Sequence, residues 1–176
     1  MNLSITMSTK LTIVLLFSIA LTAALGCSRS GGTTMDEKAI SRVLDDWHQS
    51  AANAEYERYF SHFASDSAIF MGTDATERWT VAEFKEWAKP YFEKGEAWSF
   101  SPEERHIYFS DNGNTAWFDE SLDTPNLGPA RGSGVMVKKR DSWRIAHYNL
   151  SIPIPNAIVD TVVQQVKEAR QDSVSK

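Results

Sequence analysis

The chain has 176 residues, 18 basic against 23 acidic side chains for a formal net charge of −5, and a single cysteine. That length suits one domain with one core and is too short for two ordinary ones. The acidic balance excludes binding to a nucleic-acid backbone, which needs clustered Lys and Arg, and a lone cysteine excludes a disulfide framework.

The chain opens with one cation, Lys10, an apolar run from Leu11 through Leu25, and then Gly26-Cys27. The run is shorter than the roughly 20 residues of a spanning helix and is followed by small and polar residues, so it reads as an export signal. Ala24-Leu25-Gly26-Cys27 resembles a relaxed bacterial lipobox, with Ala24 where leucine is commoner. The resemblance implies that residues 1–26 are a signal peptide and that Cys27 carries the lipid, leaving a mature chain without a thiol. The alternative is an ordinary signal ending near a buried cysteine, and Met7 is a second possible start. Residues 27–33 then form a lipidated tether reaching at most roughly 20 Å. The membrane partner would be a bacterial envelope, and Ser28 after the cysteine leaves the periplasmic face of the outer membrane open as the destination.

Thr34 and Glu37 have capping-box spacing, and Met35, Ile40, Val43, Leu44, Trp47 and Ala51 give a helical stripe to about residue 53. Tyr56, Tyr59, Phe60 and Phe63 suggest a short second helix, and residues 67–72 a strand. The loop Thr73 to Arg78 leads to a helix with a box at Thr80 and Glu83, kinked or shortened by Pro90 and stopped at Gly95. From Trp98 the period becomes two, with strands expected near 97–110, 114–124, 130–140 and 142–152 in successive hairpins. Asn156 could cap a last helix with Ile158, Val162, Val166 and Ala169 on one side, before a fraying polar tail at 171–176.

Helical segments followed by a meander describe an α+β domain with helices on one face of a curved, mostly antiparallel sheet. The loop from Gly72 to Trp79 and the run Trp143 to Leu150 with Ile152-Pro153-Ile154-Pro155-Asn156 resemble SnoaL-like members of the nuclear transport factor 2 (NTF2-like) superfamily. The resemblance spans about residues 36–167, placing the domain at 34–170. It implies a cone-shaped scaffold that carries isomerases, cyclases, binding proteins and dimeric assembly modules alike, so it implies no single activity. SnoaL-type cyclases use an acid assisted by histidine, for which Glu120 or Asp119 with His147 is the nearest match.

Strand parity nominates the site. Taking Arg144 as solvent-facing turns Trp143, Ile145, His147 and Asn149 inward. Taking Lys138 as exposed turns Arg131, Ser133, Val135 and Val137 inward and Gly132, Gly134 and Met136 outward. Between 115 and 123 either Ala116, Phe118, Glu120 and Leu122 or Trp117, Asp119, Ser121 and Asp123 face the core. The first is favoured because Glu120 could then meet Arg131, and a bulge would reverse it.

The resulting pocket has Trp47, Trp79, Trp87 and Phe118 as walls and Glu120, Arg131, Ser133, His147 and Asn149 as polar groups. Glu120, with a carboxyl raised by desolvation, and His147 are the candidate catalytic acid and base, and Arg131 or Asn149 an oxyanion stabiliser. The plainer alternative is a structural Glu120–Arg131 pair. His48, His62 and His106 lack metal-ligand spacing, and Gly132-Ser133-Gly134 lacks the third glycine of a dinucleotide loop, so neither metal nor cofactor is expected. Three readings stand: an anchored lipoprotein binding a small, partly apolar molecule; a cofactor-independent isomerase or cyclase; and a homodimeric module joined through outward Met136, Ala146, Tyr148 and Leu150.

Overall fold

A computed structural model of the protein describes residues 32–174; Cys27 and the signal segment lie outside the described residues. The first helix, α1 (Thr34–Ala52), is capped one residue earlier than its sequence suggests. Thr33 Oγ1 accepts the Asp36 amide and Asp36 reaches back to the Thr33 amide, so the box is Thr33/Asp36 rather than Thr34/Glu37. Ile40, Leu44, Trp47, His48 and Ala51 form its buried face. A short α2 (Tyr56–Ser61) adds Tyr59 and Phe60 to the core.

Strand β1 (Ile69–Met71) pairs with β2 (Arg78–Thr80), a three-residue strand not foreseen between the expected loop and the helix that follows it. Helix α3 (Val81–Glu93) follows directly on the Thr80/Glu83 capping box. It runs through Pro90 to Glu93, and Gly95, at φ +71°, closes it: the Gly95 and Glu96 amides donate to the Phe92 and Tyr91 carbonyls. This left-handed C-terminal stop favours glycine.

Four long strands complete the sheet: β3 (Ser101–Phe109), β4 (Thr115–Asp123), β5 (Ala130–Lys139) and β6 (Ser142–Ser151). The six-stranded order is β2-β1-β6-β5-β4-β3, antiparallel except where β1 runs parallel to β6. Helices α1 and α3 pack on one face, and the core between them and the sheet is strongly aromatic. Phe70 and Phe84 stack at 4.0 Å between ring centroids, and Trp47 packs between Tyr59 and Tyr148. After a 3₁₀ turn at Asn156–Ile158, helix α4 (Val159–Val174) exposes Val159, Val163 and Val166, and its backbone extends to residue 174.

Parity along β4 gives Ala116, Phe118, Glu120 and Leu122 as the buried, helix-facing set. On β5 the parity is the reverse of the sequence expectation: Ala130, Gly132, Gly134 and Met136 are buried, and Arg131 is exposed. Lys138 misled the assignment. It lies on the inner face, at the sheet's end, where its Nζ donates to Asp36 Oδ1 at 2.7 Å and stands over the Trp143 ring, 5.5 Å from its centroid. A lysine can cover apolar surface while its ammonium reaches a partner at the rim.

On β6 a bulge decides the outcome. Met136 pairs with Ile145 but Val135 pairs with His147, so Ala146 is the extra residue and the alternation flips there. Trp143 and Ile145 face inward as expected, but beyond the bulge Tyr148 and Leu150 are the buried residues. His147 and Asn149 consequently stand on the other face, next to Val135 and Ser133.

Candidate functional site

Glu120 ends on the inner face with no exposed side-chain surface. A charge so placed must be compensated, and three neighbours converge on it. His48 Nε2 lies 2.8 Å from Oε1 and donates to it. Arg105 holds Oε2 through Nε at 2.9 Å and Nη2 at 2.8 Å. The Tyr148 hydroxyl approaches Oε1 at 3.5 Å.

Arg105 is the direct cross-strand partner of Glu120 in the β3–β4 hairpin. Its Nη1 also donates to the Asp45 carboxylate at 2.8 Å and to the Ser41 carbonyl at 3.2 Å, which ties α1 to the sheet. Across β5, Glu120 faces Gly132, where a side chain would collide with the Tyr148 hydroxyl and come within 2.9 Å of Glu120 Oε1. The glycine is the space in which the carboxylate and phenol meet.

This geometry corrects the expected partner and the expected acidity. Arg131 is on the outer face, and Arg105 takes the position foreseen for it. Desolvation pushes the Glu120 carboxyl up, but the hydrogen bond and charge of His48, with those of Arg105, outweigh it and hold it below the ordinary range. A lowered carboxyl whose oxygens are already engaged is poorly suited to be a general base. Burial and the nearby Glu120 charge push the Tyr148 phenol up, keeping it a neutral donor.

The remaining nominated residues separate into three places. Trp47 and Phe118 are fully packed in the core. Arg131, Ser133, His147 and Asn149 lie on the outer face, so His147 is across the sheet from Glu120 and the expected acid–base pair is not assembled. Met136, Tyr148 and Leu150 are buried, which overturns them as an outward dimer surface. That outer face carries a different exposed pair, Tyr108 and Trp117, stacked at 6.0 Å.

Trp79 and Trp87 do line a cleft. It has a volume of about 130 Å³ and is bounded by Phe70, Phe84, Trp98, Phe100, Leu127 and Leu150, with Gly72, Thr73 and Glu77 along one side. The rings are layered: Trp79 and Trp87 stack at 4.9 Å, and Phe84 stacks on Trp98 at 5.5 Å. Phe100 forms part of its wall and turns its ring edge-on to His48, 5.8 Å away. On that side an open groove of about 440 Å³ reaches His48, Gln49 and Ser99. Phe100 is thus the partition between the cleft and the approach to the buried carboxylate.

Sequence reasoning missed Arg105, His48, Tyr148, Trp98 and Phe100. Arg105 had a usable signal: counting equal distances from the Asp111–Asn114 turn sets it opposite Glu120. Among the described residues no cluster of three or more His, Cys, Asp or Glu side chains could hold a metal ion, and no helix is long and apolar enough to cross a membrane.

A family model for the SnoaL-like domain matches residues 40–155. Among solved structures, an NTF2-like protein of unknown function from Pseudomonas putida superposes with a TM-score of 0.61 at 13% identity, over 72% of this chain and 92% of that one. A domain of unknown function with a cystatin-like fold from Nostoc punctiforme gives 0.60 at 16% identity, over 81% and 96%. A candidate scytalone dehydratase from Novosphingobium aromaticivorans gives 0.55 at 13% identity, over 68% and 85%. At such identities the likeness is one of fold. No functionally curated protein matches the sequence significantly.

Proposed function

The chain belongs to the SnoaL-like domain family, and on that premise we propose that it is an envelope-anchored lipoprotein whose aromatic cleft binds a small, mainly apolar molecule. The observation that carries the binding reading is the cleft itself, walled by Trp79, Trp87, Trp98 and Phe100 and open at its mouth. Its volume of about 130 Å³ is below the 300 to 1,000 Å³ of sites for drug-sized ligands and close to the roughly 150 Å³ of a cavity that accepts benzene. One ring or one branched alkyl group enters, and the rest of a larger ligand stays outside. The Glu120 cluster supports this use as a brace: it clips α1 to β3 and β4 behind the cleft and leaves its rings in place.

Calorimetric titration with phenol and 3,3-dimethylbutan-1-ol tests the cleft. Both bind the natural protein, and affinity falls at least roughly tenfold in Trp87→Ser, whose side chain is half-exposed on α3 and whose loss spares the core. Equal binding by the variant would remove the cleft as the site. Anchoring rests on the resemblance of Ala24–Cys27 to a lipobox. Radiolabelled palmitate should enter the natural protein and not Cys27→Ser, which should leave the membrane fraction; labelling of both would refute Cys27 as the anchor.

The stacked Tyr108–Trp117 pair favours a second property, homodimerisation through the outer sheet face. Light scattering at micromolar concentration should then give twice the monomer mass, and Trp117→Ser should halve it; a monomeric natural protein refutes the contact.

A further inference from the structure

The cleft is almost wholly apolar, yet a charge sits on it. Among the described residues that line it only Glu77 is ionisable, and none is a lysine, arginine or histidine. Glu77 is half-buried beside Gly72, and its Oε2 accepts one hydrogen bond, from the Asp74 amide at 3.1 Å. A carboxylate has two oxygens and about four acceptor sites, so most of its capacity is left unfilled by its own loop. Lining the same cleft are the rings of Trp79 and Trp87, stacked at 4.9 Å with planes 28° apart, and Trp98, 6.3 Å from Trp87.

The faces of tryptophan rings carry the negative end of a quadrupole and attract a desolvated cation. Indole faces and one carboxylate act with the same sign: both favour positive charge and penalise an anion. The protein as a whole, at −5, adds a long-range field of that sign. A strongly hydrated ammonium would lose its water on entering so small and dry a space, whereas an alkylated one presents methyl groups to the rings and keeps its charge.

We propose that the group recognised by this cleft is an organic cation of the alkylated or quaternary ammonium class, its methyl groups against Trp79, Trp87 and Trp98 and its charge balanced by Glu77. The proposal rests on the cleft being a binding site and goes further, by giving the ligand a charge. It also assigns Glu77 a ligand-facing role, where the sequence alone suggests a solvated ion pair with Arg78.

Choline and its neutral isostere 3,3-dimethylbutan-1-ol separate the two statements, because they have the same shape and differ by one charge. Titrated calorimetrically into the full chain in physiological salt, choline should bind roughly tenfold more tightly than the isostere. Glu77→Gln keeps the loop's acceptor and should lower choline affinity severalfold while leaving the isostere unchanged. Equal affinities for the two probes would overturn the cation inference and leave the apolar cleft standing. A choline preference that survives Glu77→Gln would overturn the role of Glu77. Binding of neither probe would overturn the cleft and the inference together.

Discussion

The buried cluster around Glu120 and the aromatic cleft share a wall, Phe100, yet they use carboxylates in opposite ways. Glu120 is sealed, and both its oxygens are taken by His48, Arg105 and Tyr148. Glu77 is half-buried, with one bond to its own loop. A carboxylate whose hydrogen-bonding capacity is filled by its own fold is a structural element, and one left with spare capacity beside an open hollow is a recognition element. Depth of burial and resemblance to an acid–base site favour Glu120; vacancy favours Glu77.

Arg105→Met is the harshest way to break the contrast. It leaves Glu120 buried without its cation, and chemical denaturation should show a loss of about 3–5 kcal/mol. A loss below 1 kcal/mol would mean that Glu120 is not held as described. Gly132→Ala should cost about 1–3 kcal/mol by the same measurement, because the added methyl meets the Tyr148 hydroxyl and the Glu120 carboxylate.

Acid titration sharpens the same point. The Glu120 carboxyl is lower in the folded protein than its ordinary 4.5, so the unfolded chain binds its proton first as pH falls. Its contribution is complete above about 4.5 and disappears as pH drops through the lower folded value. Glu120→Gln should remove that part of the pH dependence of stability; an unchanged slope would assign it to other carboxylates, such as Asp36, which its bond from Lys138 also holds low. The smallest effects belong to the outer face. His147→Ala and Asn149→Ala should each change stability by less than about 0.5 kcal/mol and leave ligand titrations unmoved. A lost binding signal in either would return the site to the residues first nominated for it.

The order of elements was legible because its signals are local: capping pairs, the change of period at Trp98 and the hairpin turns at Asp111–Asn114 and Arg140-Asp141. The inner set on β4 was legible too, since uninterrupted alternation carries Ala116, Phe118, Glu120 and Leu122 to one side. The site was harder for two physical reasons. One bulge residue, Ala146, exchanges the faces of everything after it, and no composition or spacing marks it. One rim lysine, Lys138, looks solvated in sequence and is paired in space, so using it as a marker inverted β5. The aromatic cleft takes its rings from α3, β1, β2 and the segment before β3, with Leu127 of the β4–β5 loop and Leu150 of β6, and only packing brings those segments together.

The contacts of Glu120 also have a history in time. His48, Arg105 and Tyr148 lie 72, 15 and 28 residues from it along the chain, on α1, β3 and β6. The Arg105 contact can arise within one hairpin, but the full set requires a helix and three strands already in place, so it is expected to complete late in folding. Contacts formed after the transition state act on escape from the native state rather than on arrival. The cluster should therefore act as a brake on unfolding: in stopped-flow kinetics His48→Ala and Tyr148→Phe should each speed unfolding while leaving the folding rate nearly untouched, and a slowed folding limb would instead place the cluster in the transition state.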